Sequence, residues 1–279
     1  MCRLRCIGGH AVAPPLIPWR KWTVIRYPRL VASVACVCVV LIAVAQTLPP
    51  LLPPAANFSF PTKQTLTYAV DWRVFPAGTA TFHLEQVGGM QHVVATGESI
   101  GAVNLLFRVN DRFESYFNRT TGCSTSFAKQ LQEGRRQLVS TLRFLPSERK
   151  QVLEEKNLVT GTSKHQESPI PPCVTDLMSA IFYGGSQPMQ PGGIFHMPVA
   201  DAMRVVDVTM KAEAREQVVT LAGTFQTIRV QPIADAGVVK NRGNIWIWYS
   251  DDDRRMPVQM RARLFWGTIT MRLVSMASK

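Results

Sequence analysis

Ile245-Trp246-Ile247-Trp248-Tyr249-Ser250-Asp251-Asp252-Asp253, followed by Val258-Gln259-Met260-Arg261-Ala262-Arg263-Leu264, decides the fold class of this chain. In the second stretch Val258, Met260, Ala262 and Leu264 alternate with Gln259, Arg261 and Arg263, the two-residue period of a strand with one face on a core. In the first, Ile245, Ile247 and Tyr249 oppose Trp246 and Trp248, so both faces are apolar. The three aspartates between the stretches read as a turn whose side chains bond their own backbone. A calcium site built on the same hard oxygens is the alternative reading. It lacks the glycine and distal glutamate of an EF-hand loop. A third strand follows, with Ile269, Met271 and Leu273 against Thr268, Thr270 and Arg272.

The same period runs upstream. Tyr68, Val70, Trp72 and Val74 alternate with Thr67, Ala69, Asp71 and Arg73, Phe75-Pro76-Ala77-Gly78 turns the chain, and Ala80, Phe82 and Leu84 resume the pattern. Gly88-Gly89 turns into a strand over 91–99. A longer strand is expected over 104–117, with Leu105, Phe107, Val109, Phe113 and Phe117 on one face. Strands near 124–132, 136–145 and 149–156 follow, then a proline-rich loop over 160–173. The one good helix candidate is 174–183, capped by Thr175 or Asp176 and stopped by Gly184-Gly185. Beyond it the two-residue period returns over 194–199, 203–211, 215–221 and 226–231. The expected fold is all-β and mainly antiparallel, a curved sheet or open half-barrel with one short helix. Two packed sheets are the rival architecture.

The first 45 residues have a different character. Arg3, Arg5, Arg20, Lys21, Arg26 and Arg29 precede an uncharged apolar run from Leu30 to Ala45, which ends in the small-x-small pattern Ala43-Val44-Ala45. A basic segment, a short apolar segment and such an exit make residues 1–45 a signal peptide or an N-terminal membrane anchor. Either places the chain in the periplasm or cell envelope, near a membrane through this segment. Residues 46–63, with Pro49-Pro50-Leu51-Leu52-Pro53-Pro54, are expected to be a linker, since proline lacks the amide donor of a ladder. The β-rich domain is then 64–279.

Of 31 basic residues 6 lie before residue 46 and none of the 19 acids does, so the remainder carries 25 − 19 = +6. That is well short of a clustered nucleic-acid footprint. Two of the six cysteines, Cys123 and Cys173, lie outside the leader, and in an exported domain one disulfide is the natural reading, with two free thiols the alternative.

Catalytic motifs are sparse. No GxSxG elbow occurs, and His83, His92, His165 and His196 share no metal-pair spacing. The diglycines lack the strand–loop–helix setting of a phosphate cradle. No catalytic set, metal or cofactor is indicated. Aromatic bulk points instead to binding: Trp72, Phe82, Phe107, Phe113, Trp246 and Trp248 either fill a core or line an apolar groove for a lipid-like or hydrophobic ligand. The helix would then be a lid or plug. The alternatives are a structural or assembly factor contacting an envelope protein or polysaccharide, and an envelope hydrolase.

Ala222-Gly223-Thr224-Phe225-Gln226-Thr227-Ile228-Arg229-Val230, then Ile247-Trp248-Tyr249-Ser250-Asp251-Asp252-Asp253-Arg254-Arg255-Met256-Pro257-Val258, resembles the bacterial DUF3108 family. Leu66-Thr67-Tyr68, Ala77-Gly78-Thr79-Ala80 and Asp176-Leu177-Met178-Ser179-Ala180-Ile181-Phe182-Tyr183 fit it too, so the resemblance covers about residues 64–276. It implies an exported β-rich domain resembling the half-barrel lipoprotein carriers, and supplies no activity. One departure stands out: the family usually has an arginine soon after the helix tyrosine, whereas Gly184-Gly185 follow Tyr183.

Overall fold

A computed structural model describes residues 50–241 and 243–278. Its strands are β1 (Lys63–Trp72), β2 (Phe75–Val87), β3 (Met90–Ser99), β4 (Asn110–Asn118), β5 (Ser124–Glu133), β6 (Arg136–Leu145), β7 (Lys150–Asn157), β8 (Ser163–Pro169), β9 (Ile194–Asp201), β10 (Arg204–Thr220), β11 (Gly223–Ile233), β12 (Asn244–Ser250), β13 (Pro257–Leu264) and β14 (Gly267–Ser278). Among the described residues three short helices interrupt them, α1 (Gly101–Leu106), α2 (Leu177–Gly185) and α3 (Gly237–Asn241). All strands join one 14-stranded sheet in the order β8-β7-β6-β5-β4-β3-β2-β1-β14-β13-β12-β11-β10-β9. The first and last strands therefore lie side by side in the middle, Tyr68 opposite Leu273, and β8 and β9 are the open edges.

A single sheet must cover its apolar face with something. Here the sheet curves, and its concave side gathers Leu66, Tyr68, Phe82, Leu84, Val93 and Phe117 from one half and Met197, Met210, Ile228, Ile247, Tyr249 and Leu273 from the other. Bulges at Thr67/Tyr68, Tyr116/Phe117 and Trp248/Tyr249 bend the strands beside three of the most deeply buried aromatic side chains. Helix α2 completes the core with Met178, Phe182 and Tyr183.

Asp176 explains why α2 starts where it does. One carboxylate oxygen accepts from the amides of Met178 (2.8 Å) and Ser179 (3.0 Å), and the Ser179 hydroxyl accepts from the Asp176 amide at 2.8 Å, a reciprocal capping box. The other oxygen accepts from the hydroxyls of Ser115 on β4 (2.6 Å) and Ser124 on β5 (2.7 Å). The preceding residues stitch across the open side of the sheet: Ser124 donates its amide to Val174, and Thr175 exchanges backbone bonds with Pro198 and Ala200 of β9. Asp176 is fully buried, and no lysine or arginine among the described residues pairs with it. Burial pushes its pKa up, against the opposing pull of the Ser115, Ser124, Ser179 and Met178 hydrogen bonds.

Consecutive turns alternate between the two ends of the sheet. One rim carries the turns at 73–74, 100–109, 134–135 and 265–266, and the other carries α2, the 251–256 turn and the segment before β1. The expected strand over 104–117 is corrected. Gly101 takes a left-handed φ of 54°, which breaks the extended chain, and residues 101–106 form α1 instead, with β4 beginning only at Asn110. Leu105 and Phe107 point outward, so their spacing marked a surface and not a core face. The loop expected over 160–173 contains the edge strand β8, and α2 runs on through Gly184 and Gly185. Residues 50–62 build no ladder, as their prolines require, but they dock on the domain through Ala55–Ser186 and Tyr183–Leu52 hydrogen bonds, with Phe60 buried.

Asp176→Ala is expected to destabilise the domain by about 3 kcal/mol, combining a lost cap with two orphaned buried hydroxyls. Asp176→Asn should cost much less, because its carbonyl keeps the helix bonds. A buried carboxyl with a raised folded pKa contributes most below the ordinary carboxylate range and loses that contribution as pH rises through the folded value. Chemical denaturation between acid and neutral pH should therefore show the wild type losing stability relative to Asp176→Asn as pH rises.

Candidate functional site

Three separate surfaces share the six aromatic residues singled out from the sequence. Phe82 and Phe113 face the concave side. Phe82 packs edge-on against Phe182 of α2 at 5.4 Å and against Tyr68 at 5.5 Å, and half-buried Phe113 stacks on Phe127 at 6.2 Å. Trp246 and Trp248 project from the convex side instead. The Trp248 indole donates to Glu216 at 2.8 Å under the Arg261 guanidinium, 5.4 Å from the ring, while Arg263 lies 5.9 Å from Trp246. Arg229 pairs with both Glu213 and Glu216 beside them. This explains how both faces of β12 can be apolar: one enters the core, and the other forms a small outer cluster of Val218, Trp248 and Val258 roofed by arginines. Trp72 and Phe107 stand on the rim.

Among the described residues the concave side is covered by the chain itself. Phe58 and Phe60 from the segment before β1 meet edge-on at 4.8 Å, and Phe60 reaches Phe117 and Tyr183. The cleft left at this end, between Ala55, Phe58, Met189 and Arg255, measures about 210 Å³. That is smaller than the roughly 300 Å³ of the smallest drug-sized sites. Gly184 and Gly185 have a packing role in this filling. A Cβ at Gly185 would meet the Arg255 carbonyl at 2.8 Å, so an unbranched backbone is needed where α2 abuts β12 and the 251–256 turn. Tyr249 fixes the same contact by donating to the Ile181 carbonyl at 2.7 Å.

The rim is different. Val74 is 81% exposed, Leu105 88%, Leu106 86% and Phe265 99%, and Phe75, Phe107 and Trp266 are also exposed. These tips adjoin: Trp72 and Trp266 are 6.3 Å apart, Arg73 donates to the Trp266 carbonyl at 3.1 Å, Ile100 donates to Ala77, and Gly134 donates to Arg108. Helix α1 buries none of its residues. Sequence patterning missed this surface because it reads outward-facing loop residues as continuations of strands. The signal present was local: Leu105-Leu106-Phe107 and Phe265-Trp266 are apolar runs beside glycines, where turns belong.

Residues that suggest chemistry are engaged elsewhere. Asp251 holds Arg215 (2.7 Å) and Arg255 (2.9 Å), Asp252 holds Arg254 and the Ser250 hydroxyl, and Asp253 accepts from Asn57 at 2.7 Å. Burial opposes it, but these arginines hold Asp251 and Asp252 below the usual carboxylate range. The aspartate run is thus an arginine-neutralised turn. His92 lies between Glu85 (3.3 Å) and Glu114 (2.8 Å), stacked on Tyr116 across three neighbouring strands.

The profile of DUF3108, described as a protein of unknown function, matches residues 67–274. The chain belongs to the DUF3108 family. A comparison with curated proteins found no match. Among solved structures, a β-barrel-like protein of the DUF1849 domain of unknown function from Brucella abortus aligns with a TM-score of 0.51 at 8% identity, covering 78% of this chain and 98% of its own. That likeness supports the same fold and says nothing of activity. A Bacteroides fragilis protein described as exported, with a YmcC-like fold, aligns at a TM-score of 0.36 and 9% identity, covering 79% and 99% of the two chains. A Parabacteroides distasonis protein described as a lipoprotein aligns at 0.35 and 8%, covering 79% and 98%.

Cys123 and Cys173 are joined in a disulfide, which ties the β4–β5 turn to the chain leading into α2. The bridge closes a separation of 50 residues, worth about 4 kcal/mol in the chain-entropy description. Cys123→Ser/Cys173→Ser is expected to lower the unfolding free energy by up to about that amount. Denaturant titration of the oxidised wild type against the variant measures it.

Proposed function

We infer that this is an exported, non-enzymatic cell-envelope domain that binds a hydrophobic envelope component through its apolar rim, with the concave face serving as its core. The observation that carries the reading is the cluster of loop tips, Val74-Phe75, Leu105-Leu106-Phe107 and Phe265-Trp266, exposed together at one end of an otherwise well-filled sheet. Contiguous exposed apolar surface of this kind marks an interaction site on an isolated chain. The leader, with its basic start, apolar run and Ala43-Val44-Ala45 exit, supports export.

A second reading has its own support. The concave face is covered by two connecting segments, 50–62 and 170–193, not by a second sheet. Its lining is rich in methionine, with Met178, Met189, Met197, Met210, Met256 and Met260 all buried, and methionine repacks readily around irregular shapes. A lipid-like ligand would then exchange with Phe58, Phe60 and α2.

One labelling experiment separates the two. The full-length chain is irradiated with an alkyl-diazirine fatty acid and the adducts are mapped by peptide mass spectrometry. Adducts on the 100–109 and 264–267 peptides are expected, and Leu105→Asn/Leu106→Asn/Phe265→Ser should abolish them while changing stability by no more than about 0.5 kcal/mol. Adducts on Phe58, Phe60 or Met178 instead transfer the function to the interior. A chain labelled at neither place refutes hydrophobic binding by this domain.

A further inference from the structure

We propose that the rim docks on the interface of an anionic phospholipid bilayer, with Leu105, Leu106, Phe265 and Val74 entering the headgroup–acyl boundary; this rests on the rim reading above and names its partner.

Shape is the first argument. The apolar residues stand on separate convex tips and on a short helix that buries nothing, so they form no groove for a peptide or a strand. A row of protruding aliphatic and aromatic side chains matches a fluid, deformable interface, which such residues enter to about 5–10 Å. Trp72 and Trp266, partly covered and set behind the tips, carry the amphipathic rings that favour headgroup level.

Charge is the second. Trp72-Arg73-Val74-Phe75-Pro76, the whole run Ser99–Asn110 and Leu264-Phe265-Trp266-Gly267-Thr268 contain no acid. They contribute Arg73 and Arg108, and the adjoining turn adds Arg135. Arg73, Arg108 and Arg135 form no ion pair with a carboxylate among the described residues, while neighbouring Arg136 is taken by Glu133 at 2.9 Å. Three exposed, unneutralised guanidinium groups beside an apolar ridge complement an anionic lipid surface. Each is worth about fivefold in binding at such a surface. The opposite rim carries Glu148 and the aspartates 251–253, but Lys150 pairs with Glu148, and Arg215, Arg255 and Arg254 pair with Asp251 and Asp252. Arg73, Arg108 and Arg135 share their end of the molecule with the exposed apolar side chains.

The topology then fixes the orientation. β1 runs from the rim that carries α2 and the 251–256 turn to the apolar one, so a docked domain holds Lys63 and residues 50–62 on the side away from the bilayer, roughly 30 Å off at about 3.3 Å per residue.

Hydrogen–deuterium exchange of the full-length chain, free and with vesicles, tests this independently of any tethering by residues 1–45. Vesicles of phosphatidylglycerol and phosphatidylcholine are expected to protect peptides covering 72–76, 100–109 and 264–268, and to leave 88–89 and 251–256 unchanged. Arg73→Gln/Arg108→Gln should need at least tenfold more of the same vesicles for half-maximal protection, and pure phosphatidylcholine should protect weakly. Protection of the 251–256 turn, or none at the apolar tips, overturns the proposal. Equal protection by both lipid compositions overturns its electrostatic half. If vesicles fail to protect tips that the diazirine probe still labels, the membrane assignment falls and the rim-binding reading stands; if the probe also fails, both fall.

Discussion

The buried carboxylate of Asp176 is the point on which the architecture depends. A one-layer sheet of fourteen strands has one apolar face too many, and the chain must supply its own cover. That cover is the connection between the two edge strands, and it stays in place because one acid residue does two jobs. Its first oxygen caps α2, and its second takes the hydroxyls of Ser115 and Ser124 from the neighbouring strands. A hydrocarbon side chain could fill the same volume. It could not satisfy two serine hydroxyls and two helix amides in a place without water.

Around this anchor the remaining fixings are arranged redundantly. The disulfide lies three residues before Asp176, the backbone bridge from Thr175 to β9 immediately before it, and the Tyr249–Ile181 and Tyr183–Leu52 hydrogen bonds along the helix after it. The segment before β1 completes the cover with Phe58 and Phe60. The described interior is therefore spent on stability. At the opposite end α1 and two hairpin turns present apolar side chains to solvent.

The contrast between Trp248 and Phe265 shows why aromatic residues alone did not locate that surface. Trp248 is buried on the convex side, held by Glu216 and covered by Arg261, and serves local packing. Phe265 is almost fully exposed in a two-residue turn, where polar residues ordinarily sit. Both are large aromatic side chains. What differs is the surroundings, and those come from strands far apart in the chain.

The sequence by itself determined most of the strand-forming segments, though not the break at α1 or the edge strand β8, together with the antiparallel class, the helix near 174–183 with Asp176 at its start, and the family, because each is carried by residues adjacent or two to four positions apart. Alternation also told which residues of a strand share a face, as for Ile247 and Tyr249 against Trp246 and Trp248. Which of those faces is concave, the pairing of β1 with β14, the meeting of Ser115 and Ser124 with Asp176, and the gathering of residues 74, 105 and 265 on one rim were decided only by the tertiary structure. Those relations join residues about 30 to 200 positions apart. No local periodicity carries them, because they depend on how the whole sheet curves and on which segment closes over its apolar side.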